Sequence, residues 1–209
     1  EGSYVDSFYE GTLDKFKEEH AELFRQDGEL KANFIKAEKA IARSLRDPLF
    51  QEYMSGEKQV IMTGELFGSK WKIKMDSYHP GRAIVDLKYM QSLTKFGYVP
   101  DIGYLDFVRY WGYDLQGAIY QEIVYQNTGK RLPFYIAGIS KEEAMNIEVI
   151  YIHDNYLKEA MKVIESRMPR ILQVKYHGAK PDRCEQCIWC RDTKVLTKPI
   201  GIGDLTASL

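Results

Sequence analysis

Residues 64–90 read GELFGSKWKIKMDSYHPGRAIVDLKYM, and this stretch decides the fold prediction. Within it, residues 70–76 alternate apolar side chains with lysines and end on Asp76, which predicts a half-buried strand whose polar face carries that acid. After a Pro-Gly turn, residues 83–89 are mostly apolar and predict a second strand that carries Asp86. Because the two strands are consecutive, antiparallel pairing would bring both carboxylates together.

The segment Asp86-Leu87-Lys88 places two polar side chains on one face of its strand, with Leu87 pointing away. The carboxylates of Asp76 and Asp86, with a backbone carbonyl such as that of Leu87, are hard oxygen ligands that suit Mg²⁺ or Mn²⁺. Such a cation lowers the pKa of a bound water and neutralises charge on a phosphodiester. Lys88 would position or deprotonate that water, or stabilise the developing negative charge.

The D-x-K tripeptide alone is a weak signal, because an exposed Asp-Lys pair on a strand has the same sequence. Its context favours a site. Asp86 lies in an apolar run, where a charge is unfavourable unless something compensates it. A second carboxylate on the neighbouring strand increases that penalty unless a cation binds.

Hydrophobic periodicity extends the prediction to the rest of the chain. Residues 11–50 are predicted to be helical, Pro48 to begin a short helix, and residues 59–67 to form a strand that completes a three-strand meander. Further along we expect a loop over 90–103, a long helix over 104–127, strands over 133–139 and 147–152, and a helix over 157–168. The order predicts an α/β chain with a meander followed by a crossover, and no glycine-rich phosphate loop is present.

Composition excludes several classes of protein. The chain has 209 residues, of which 44% are hydrophobic, enough for one compact domain with a real core. It has no apolar run of about 18 residues, so we expect no membrane span. Without a signal-peptide pattern, the protein is expected to be intracellular and cytoplasmic, in a bacterial or phage-infected cell. Because the sequence does not begin with Met, we expect an upstream segment to be missing.

Charge is distributed unevenly, although the formal net charge is only −1. Residues 1–30 contain nine acidic and three basic residues, whereas residues 166–198 contain eight basic and three acidic residues. A basic C-terminal third is suited to phosphate binding, but an uneven solvated surface explains the same pattern.

Three segments taken together resemble a known family: residues 64–90, YDLQGAIYQEIV at 113–124 and PFYIAGISKE at 133–142. The chain resembles the RecB-type branch of the PD-(D/E)xK nucleases, and within it the phage exonuclease VIII-like group, over residues 30–196. The resemblance implies a restriction-endonuclease-like core with N-terminal helices and a C-terminal helix plus a cysteine-containing tail. We therefore expect an N-terminal helical segment at 1–55, a nuclease core at 56–172 and a basic C-terminal extension at 173–209.

The resemblance also implies roles for particular residues. Asp76 matches the family's second-strand aspartate, and Asp86 and Lys88 match its acid-x-lysine, with Asp in place of the commoner Glu. The family's Gln-x-x-x-Tyr motif matches Gln116 and Tyr120, which are i, i+4 neighbours on one helical face. The plainer interpretation of this pair is that Tyr120 is a core residue and Gln116 caps a strand edge. A further acidic ligand from the first helix is assigned to Glu38, with Glu65 as an alternative.

The three cysteines, Cys184, Cys187 and Cys190, have C-x-x-C-x-x-C spacing, which lets thiolates converge on one metal ion. An odd number of cysteines argues against a disulfide framework. Related nucleases hold an iron–sulfur cluster with one further upstream cysteine, which this chain lacks. A zinc site, an iron–sulfur cluster completed by another ligand such as His177, and three reduced cysteines without metal all remain open.

The activity implied by the resemblance is magnesium-dependent exonuclease digestion of linear double-stranded DNA. It implies 5′-to-3′ polarity in phage-type recombination, a ring-like homo-oligomer and a single-strand annealing protein as partner. One alternative is an iron–sulfur nuclease that acts on single strands in repair or CRISPR adaptation. Another is a catalytically inactive DNA-binding module on a nuclease scaffold. The intact set of Asp76, Asp86 and Lys88 argues against the inactive module.

Overall fold

A computed structural model describes residues 1–99, 102–185 and 187–203 of the chain. By its internal contacts the chain divides into two compact units, Glu1–Arg167 and Met168–Leu209. Every strand among the described residues lies in the first unit, and the cysteines lie in the second.

The chain begins with short helices. They are α1 (Gly2–Tyr9), α2 (Leu13–Glu19), a 3₁₀ turn at Ala21–Leu23, α3 (Ala32–Leu45) and α4 (Pro48–Tyr53). Helix α4 begins as predicted, because the Asp47 side chain accepts a hydrogen bond from the Phe50 N–H at 2.9 Å and Pro48 needs no donor in the first turn. Helix α1 lies inside the N-terminal helical segment expected at 1–55, although hydrophobic periodicity predicted helix only from residue 11.

The strands and later helices follow in mixed order. The strands are β1 (Val60–Leu66), β2 (Ser69–Met75), β3 (Ser77–His79), β4 (Ala83–Met90), β5 (Gly97–Val99), β6 (Gly103–Leu105), β7 (Phe134–Ser140) and β8 (Ile147–Ile152). The helices are α5 (Phe107–Tyr110), α6 (Tyr113–Thr128), α7 (Asp154–Tyr176) and α8 (Ile188–Asp192). The central sheet has the order β3-β4-β7-β8, in which β4 and β7 are parallel and the other pairs are antiparallel. The predicted α/β class is confirmed.

The predicted meander is present with one difference, which is that the chain changes partners at Asp76. Strands β1 and β2 form a separate antiparallel ribbon, and the short strand β3 then pairs with β4. Helix α6 packs on the ribbon closely enough that a Cβ on Gly64 would lie 2.6 Å from the Ile123 side chain. The Gln126 amide accepts from the Glu65 N–H at 3.1 Å and donates to its carbonyl at 3.0 Å. The ribbon is therefore held by the helix.

The prediction of a single long helix over residues 104–127 is wrong. The structure has β6, α5 and α6 there, and Gly112 between the two helices adopts a left-handed φ of 70°. Glycine takes this conformation without steric penalty, so the chain can change direction there. Strand β5, in the predicted loop, pairs with β6.

The central sheet is covered on both faces. Helix α6 packs on one face, where Ile123 and Val124 join a cluster with Ile84 and Phe134. The N-terminal helices cover the other face, in a cluster that contains Val85 and Leu87. Because side chains alternate along β4, Asp86 projects from the face opposite Val85 and Leu87, as the sequence predicted.

Among the helices described, none is both long enough and apolar enough to cross a lipid bilayer.

Candidate active site

The pairing of β3 with β4 brings the two predicted aspartates together. Ser77 lies opposite Val85, so the next step of the same register is Asp76 opposite Asp86. The Leu87 N–H donates to Asp76 Oδ2 at 2.9 Å, which ties that carboxylate to the neighbouring strand. Asp76 therefore occupies the position at which the chain passes from the ribbon into the sheet, beside the D-x-K segment.

Asp86 is the buried member of the pair, with only 3% of its surface exposed. Its Oδ2 forms an ion pair with Lys88 Nζ, and its Oδ1 accepts a hydrogen bond from Gln116 Nε2 at 2.6 Å. Lys88 Nζ also lies 4.8 Å from the centre of the Tyr113 ring, a cation–π distance. Helix α6 thus supplies two side chains to the acid-lysine pair on β4.

Burial dominates the electrostatics of this pair. It raises the pKa of Asp86 to about 6, assisted by the charge of Asp76 and opposed by that of Lys88. Burial works to lower the pKa of Lys88, but the charge and hydrogen bond of Asp86 outweigh it and hold that pKa above its ordinary value. In the metal-free protein, Lys88 is therefore a cation at neutral pH.

A third acid, Asp6 on α1, belongs to the same electrostatic cluster. Burial and, to a lesser extent, the charge of Asp76 raise the pKa of Asp6 to about 7, against the opposing charge of Lys88. Helix α1 lies against β4, which carries this half-buried acid towards the site. Sequence reasoning missed Asp6 because it is one of nine acids in residues 1–30 and lies before residue 11, where the periodic helical pattern begins.

Gln59 is a second residue that sequence reasoning missed. Its Nε2 donates to Asp76 Oδ1 at 3.3 Å, while its backbone has a left-handed φ of 54°. A non-glycine residue in this conformation carries strain that the surrounding structure must compensate. Gln59 and the Leu87 N–H each hold one oxygen of the Asp76 carboxylate, so Gln59 is a positioning residue for it.

The two residues predicted on α6, Gln116 and Tyr120, make different contacts. Gln116 reaches Asp86 directly, whereas the Tyr120 hydroxyl donates to the Lys74 carbonyl at 2.9 Å. The Tyr120 ring also packs edge-on against Phe134, with the ring centres 5.9 Å apart. Tyr120 therefore fixes the backbone of β2 two residues before Asp76.

The predicted outer ligands are placed elsewhere. Glu38 Oε1 accepts from the Tyr4 hydroxyl at 2.8 Å and pairs with Lys17 at 2.9 Å. Glu65 is exposed on β1, opposite Lys70 in the ribbon. The contacts recorded for these two glutamates are with the N-terminal helices and the ribbon.

The chemistry of the aspartate site fits a hard divalent cation. Asp76 and Asp86 provide carboxylate oxygens, and Leu87 between the two site residues of β4 provides a carbonyl. Within the described residues, three ligand atoms from Asp, Glu, His or Cys converge only at the cysteines, so the aspartate site would complete its ligand set with water. Magnesium commonly retains several waters in such sites.

The cysteines form a second candidate metal site, in the C-terminal unit. The sulfur atoms of Cys184, Cys187 and Cys190 all lie within 4.8 Å of one another, and those of Cys184 and Cys190 are 3.8 Å apart. Four sulfurs tetrahedrally around one zinc are separated by roughly 3.8 Å, given a Zn–S bond of about 2.3 Å. His177, suggested as a further ligand, is not part of this group.

Backbone N–H groups point at two of these sulfurs. The Cys187 N–H donates to Cys184 Sγ at 3.3 Å, and the Cys190 N–H donates to Cys187 Sγ at 3.4 Å. The Cys190 N–H lowers the pKa of the Cys187 thiol, but the neighbouring thiols of Cys190 and Cys184 outweigh it and raise that pKa above its ordinary value. The N–H groups would stabilise the thiolates once a metal ion replaces the thiol protons.

Comparison with known proteins shows which family and which solved structure the chain is similar to. The family described as a PDDEXK-like domain of unknown function (DUF3799) matches residues 1–193. The crystal structure of a presumed exonuclease from Eubacterium rectale is 64% identical in sequence, with a TM-score of 0.92. The match covers 99% of this chain and 78% of that one. No curated protein sequence matches the chain.

Proposed function

The chain belongs to the PDDEXK-like DUF3799 family, and from this premise we propose that it is a metal-dependent exonuclease that acts on DNA. The observation that carries the proposal is the buried pair formed by Asp86 and Lys88 beside Asp76. The similarity to the presumed exonuclease from Eubacterium rectale supports the same activity.

In the proposed mechanism, Asp76, Asp86 and the Leu87 carbonyl hold Mg²⁺ or Mn²⁺. The cation would supply neutralisation of phosphate charge and a water of lowered pKa. Lys88 keeps its positive charge next to Asp86 and stabilises the negative charge that develops on the phosphate oxygens. Gln116 and Gln59 hold the two carboxylates in fixed orientations, so little reorganisation is needed during the reaction.

The finer features of the proposal come from the family resemblance. We propose linear double-stranded DNA as the substrate, 5′-to-3′ polarity, a ring-like homo-oligomer and cooperation with a single-strand annealing protein in phage-type recombination. The iron–sulfur single-strand nuclease and the inactive DNA-binding module are the competing possibilities that the following experiment separates.

Purified protein is expected to degrade linear duplex DNA in Mg²⁺ and to stop when EDTA removes the cation. A covalently closed circle is expected to resist, and labels on each strand end in turn give the polarity. Cleavage in EDTA would contradict the mechanism. Equal digestion of circles would indicate an endonuclease. Faster digestion of single strands would indicate the iron–sulfur nuclease, and DNA binding without cleavage would indicate the inactive module.

The third acid of the site is open to a paired test. We expect Asp6→Asn to raise the Mg²⁺ concentration for half-maximal cleavage by about tenfold, since removing one nearby negative charge is worth roughly 1 kcal/mol or more. Glu38→Gln is the matched control and is expected to change this concentration less than about twofold, as surface ion pairs contribute little. Metal titrations of cleavage rate measure both. A larger increase in this Mg²⁺ concentration for Glu38→Gln than for Asp6→Asn would identify Glu38 as the ligand.

We further propose that Cys184, Cys187 and Cys190 bind a structural metal ion or cluster together with a fourth ligand. The support is the mutual proximity of their sulfurs and the N–H groups directed at them. Zinc and an iron–sulfur cluster have the same thiolate requirement, so the chemistry alone does not separate them.

Protein purified without oxygen is expected to retain either about one zinc per chain or the visible absorption of an iron–sulfur cluster. Cys187→Ser is expected to lose that metal, because serine replaces the thiolate with a hydroxyl. Metal analysis and absorption spectra measure both proteins. A folded, colourless and metal-free wild-type protein would contradict the site.

A further inference from the structure

A cavity of about 480 Å³ opens where β4 ends, next to the candidate active site. Along β4, Asp86, Lys88 and Met90 share one face, and Met90 lines the cavity. Successive residues on one face are separated by roughly 7 Å, so the cavity begins about that far from Lys88. The cavity is therefore a continuation of the candidate active site.

Aromatic side chains form the walls of this cavity, and they are Phe96, Phe107, Tyr110, Trp111 and Tyr113. Two of them face solvent to an unusual degree, because Phe96 is 66% exposed and Trp111 is 62% exposed. Large exposed apolar side chains that cluster in this way mark interaction sites more often than isolated ones do.

The wall is a built structure, as Gly97 shows. A Cβ on this residue would lie 2.1 Å from the Tyr110 ring, so only glycine lets that ring lie directly against β5. Tyr110 in turn packs edge-on against Trp111, with ring centres 5.2 Å apart. The rings of Tyr110 and Trp111 are therefore held in place before any ligand arrives, which reduces the entropy lost on binding.

Tyr113 connects the cavity to the catalytic lysine. Its ring lines the cavity, and its centre lies 4.8 Å from Lys88 Nζ. If Lys88 holds a phosphate of the DNA strand, the nucleoside attached to that phosphate or the next nucleoside along the strand lies at the opening of the aromatic cavity.

The charge of the lining favours an anionic strand. Lys95 lines the cavity, and no aspartate or glutamate is among its described lining residues. Aromatic walls with a cation are the usual means of binding unpaired bases next to a phosphate backbone.

We propose that this cavity binds an unpaired nucleobase adjacent to the phosphate that is cut, by stacking it on Phe96 and Trp111. This inference rests on the proposed nuclease function and adds its substrate form, a linear duplex whose end has frayed. A base inside a duplex cannot reach the cavity without leaving its stack.

Binding in EDTA, where no strand is cut, tests the proposal. The probes are a fluorescent oligothymidylate and an abasic oligonucleotide of equal length, which carries the same phosphates without bases. Wild-type protein is expected to bind the oligothymidylate at least about fivefold more tightly, because stacking of one base on an aromatic ring is worth roughly 5- to 150-fold.

Trp111→Ala and Phe96→Ala are expected to lose this preference while binding the abasic strand as before. Tyr125→Ala removes an exposed aromatic residue at the other end of α6 and is expected to keep the preference. Two separate substitutions guard against a variant that fails to fold, which melting temperatures would reveal.

Equal binding of both strands by wild-type protein would overturn the proposal. So would an unchanged preference in both folded variants, or dissociation of an oligomer by Trp111→Ala, which would make the surface a contact between copies of the chain. Because binding is measured without catalysis, the outcomes are distinguishable: cleavage of DNA without base preference refutes the stacking site alone. Base preference without cleavage refutes the nuclease.

Discussion

Asp86→Asn is expected to reduce DNA cleavage by at least about 10³-fold, because a neutral amide is a much weaker ligand for a divalent cation than a charged carboxylate. Mg²⁺ is expected to raise the melting temperature of the wild-type protein, since a cation that binds only the folded state stabilises it. Asp86→Asn is expected to abolish that increase. Cleavage rates and thermal unfolding with and without Mg²⁺ measure both effects.

The melting temperature of Asp86→Asn without metal is expected to lie within a few degrees of wild type. The substitution removes a buried negative charge, which stabilises, and also removes the partner of Lys88, which destabilises. Asp14→Asn changes an exposed acid on α2 and serves as the control, with unchanged cleavage and Mg²⁺ response. Cleavage by Asp86→Asn within tenfold of wild type would refute Asp86 as a ligand.

Lys88→Met is expected to reduce cleavage by about 10²- to 10³-fold, the usual effect of removing a group that stabilises transition-state charge. In contrast to Asp86→Asn, it is expected to keep the increase in melting temperature with Mg²⁺. Removing the ammonium group leaves Asp86 without a competing cation, so Mg²⁺ should bind at least as tightly as in wild type.

The two substitutions thus separate holding the metal from stabilising the reaction. Lys72→Met, an exposed lysine on β2, is the control for loss of a positive charge and is expected to cleave DNA normally. If Lys88→Met lost the Mg²⁺ response together with activity, Lys88 would be needed to assemble the site rather than to stabilise charge.

Much of the central architecture was predictable because its signals are local. The period-2 alternation over residues 70–76 and the apolar run over 83–89 identified the strand that ends directly before Asp76 and the strand that carries Asp86. The same alternation predicted that Asp86 and Lys88 share a face opposite Leu87, and the two core clusters agree with it.

The errors occurred where a single residue changes the direction of the chain. Gly112 lies inside a helical pattern, and its left-handed backbone divides the predicted long helix. The alternation over residues 70–76 continues without interruption up to Asp76. Nothing in the hydrophobic pattern therefore marks the point at which the chain leaves the ribbon and enters the central sheet. Periodicity averages over several residues and does not register one unusual backbone conformation.

The order of the amino acids by itself determined the α/β class, the two strands, and the acid-x-lysine segment that groups the chain with PD-(D/E)xK proteins. Only the tertiary structure decided that Asp6 joins this cluster, that Gln59 holds Asp76, and that an aromatic cavity opens beside Lys88. The physical reason is distance along the chain. Alternation within a strand is fixed by the geometry of neighbouring residues, whereas these contacts depend on how separate elements pack and which charges they bury together.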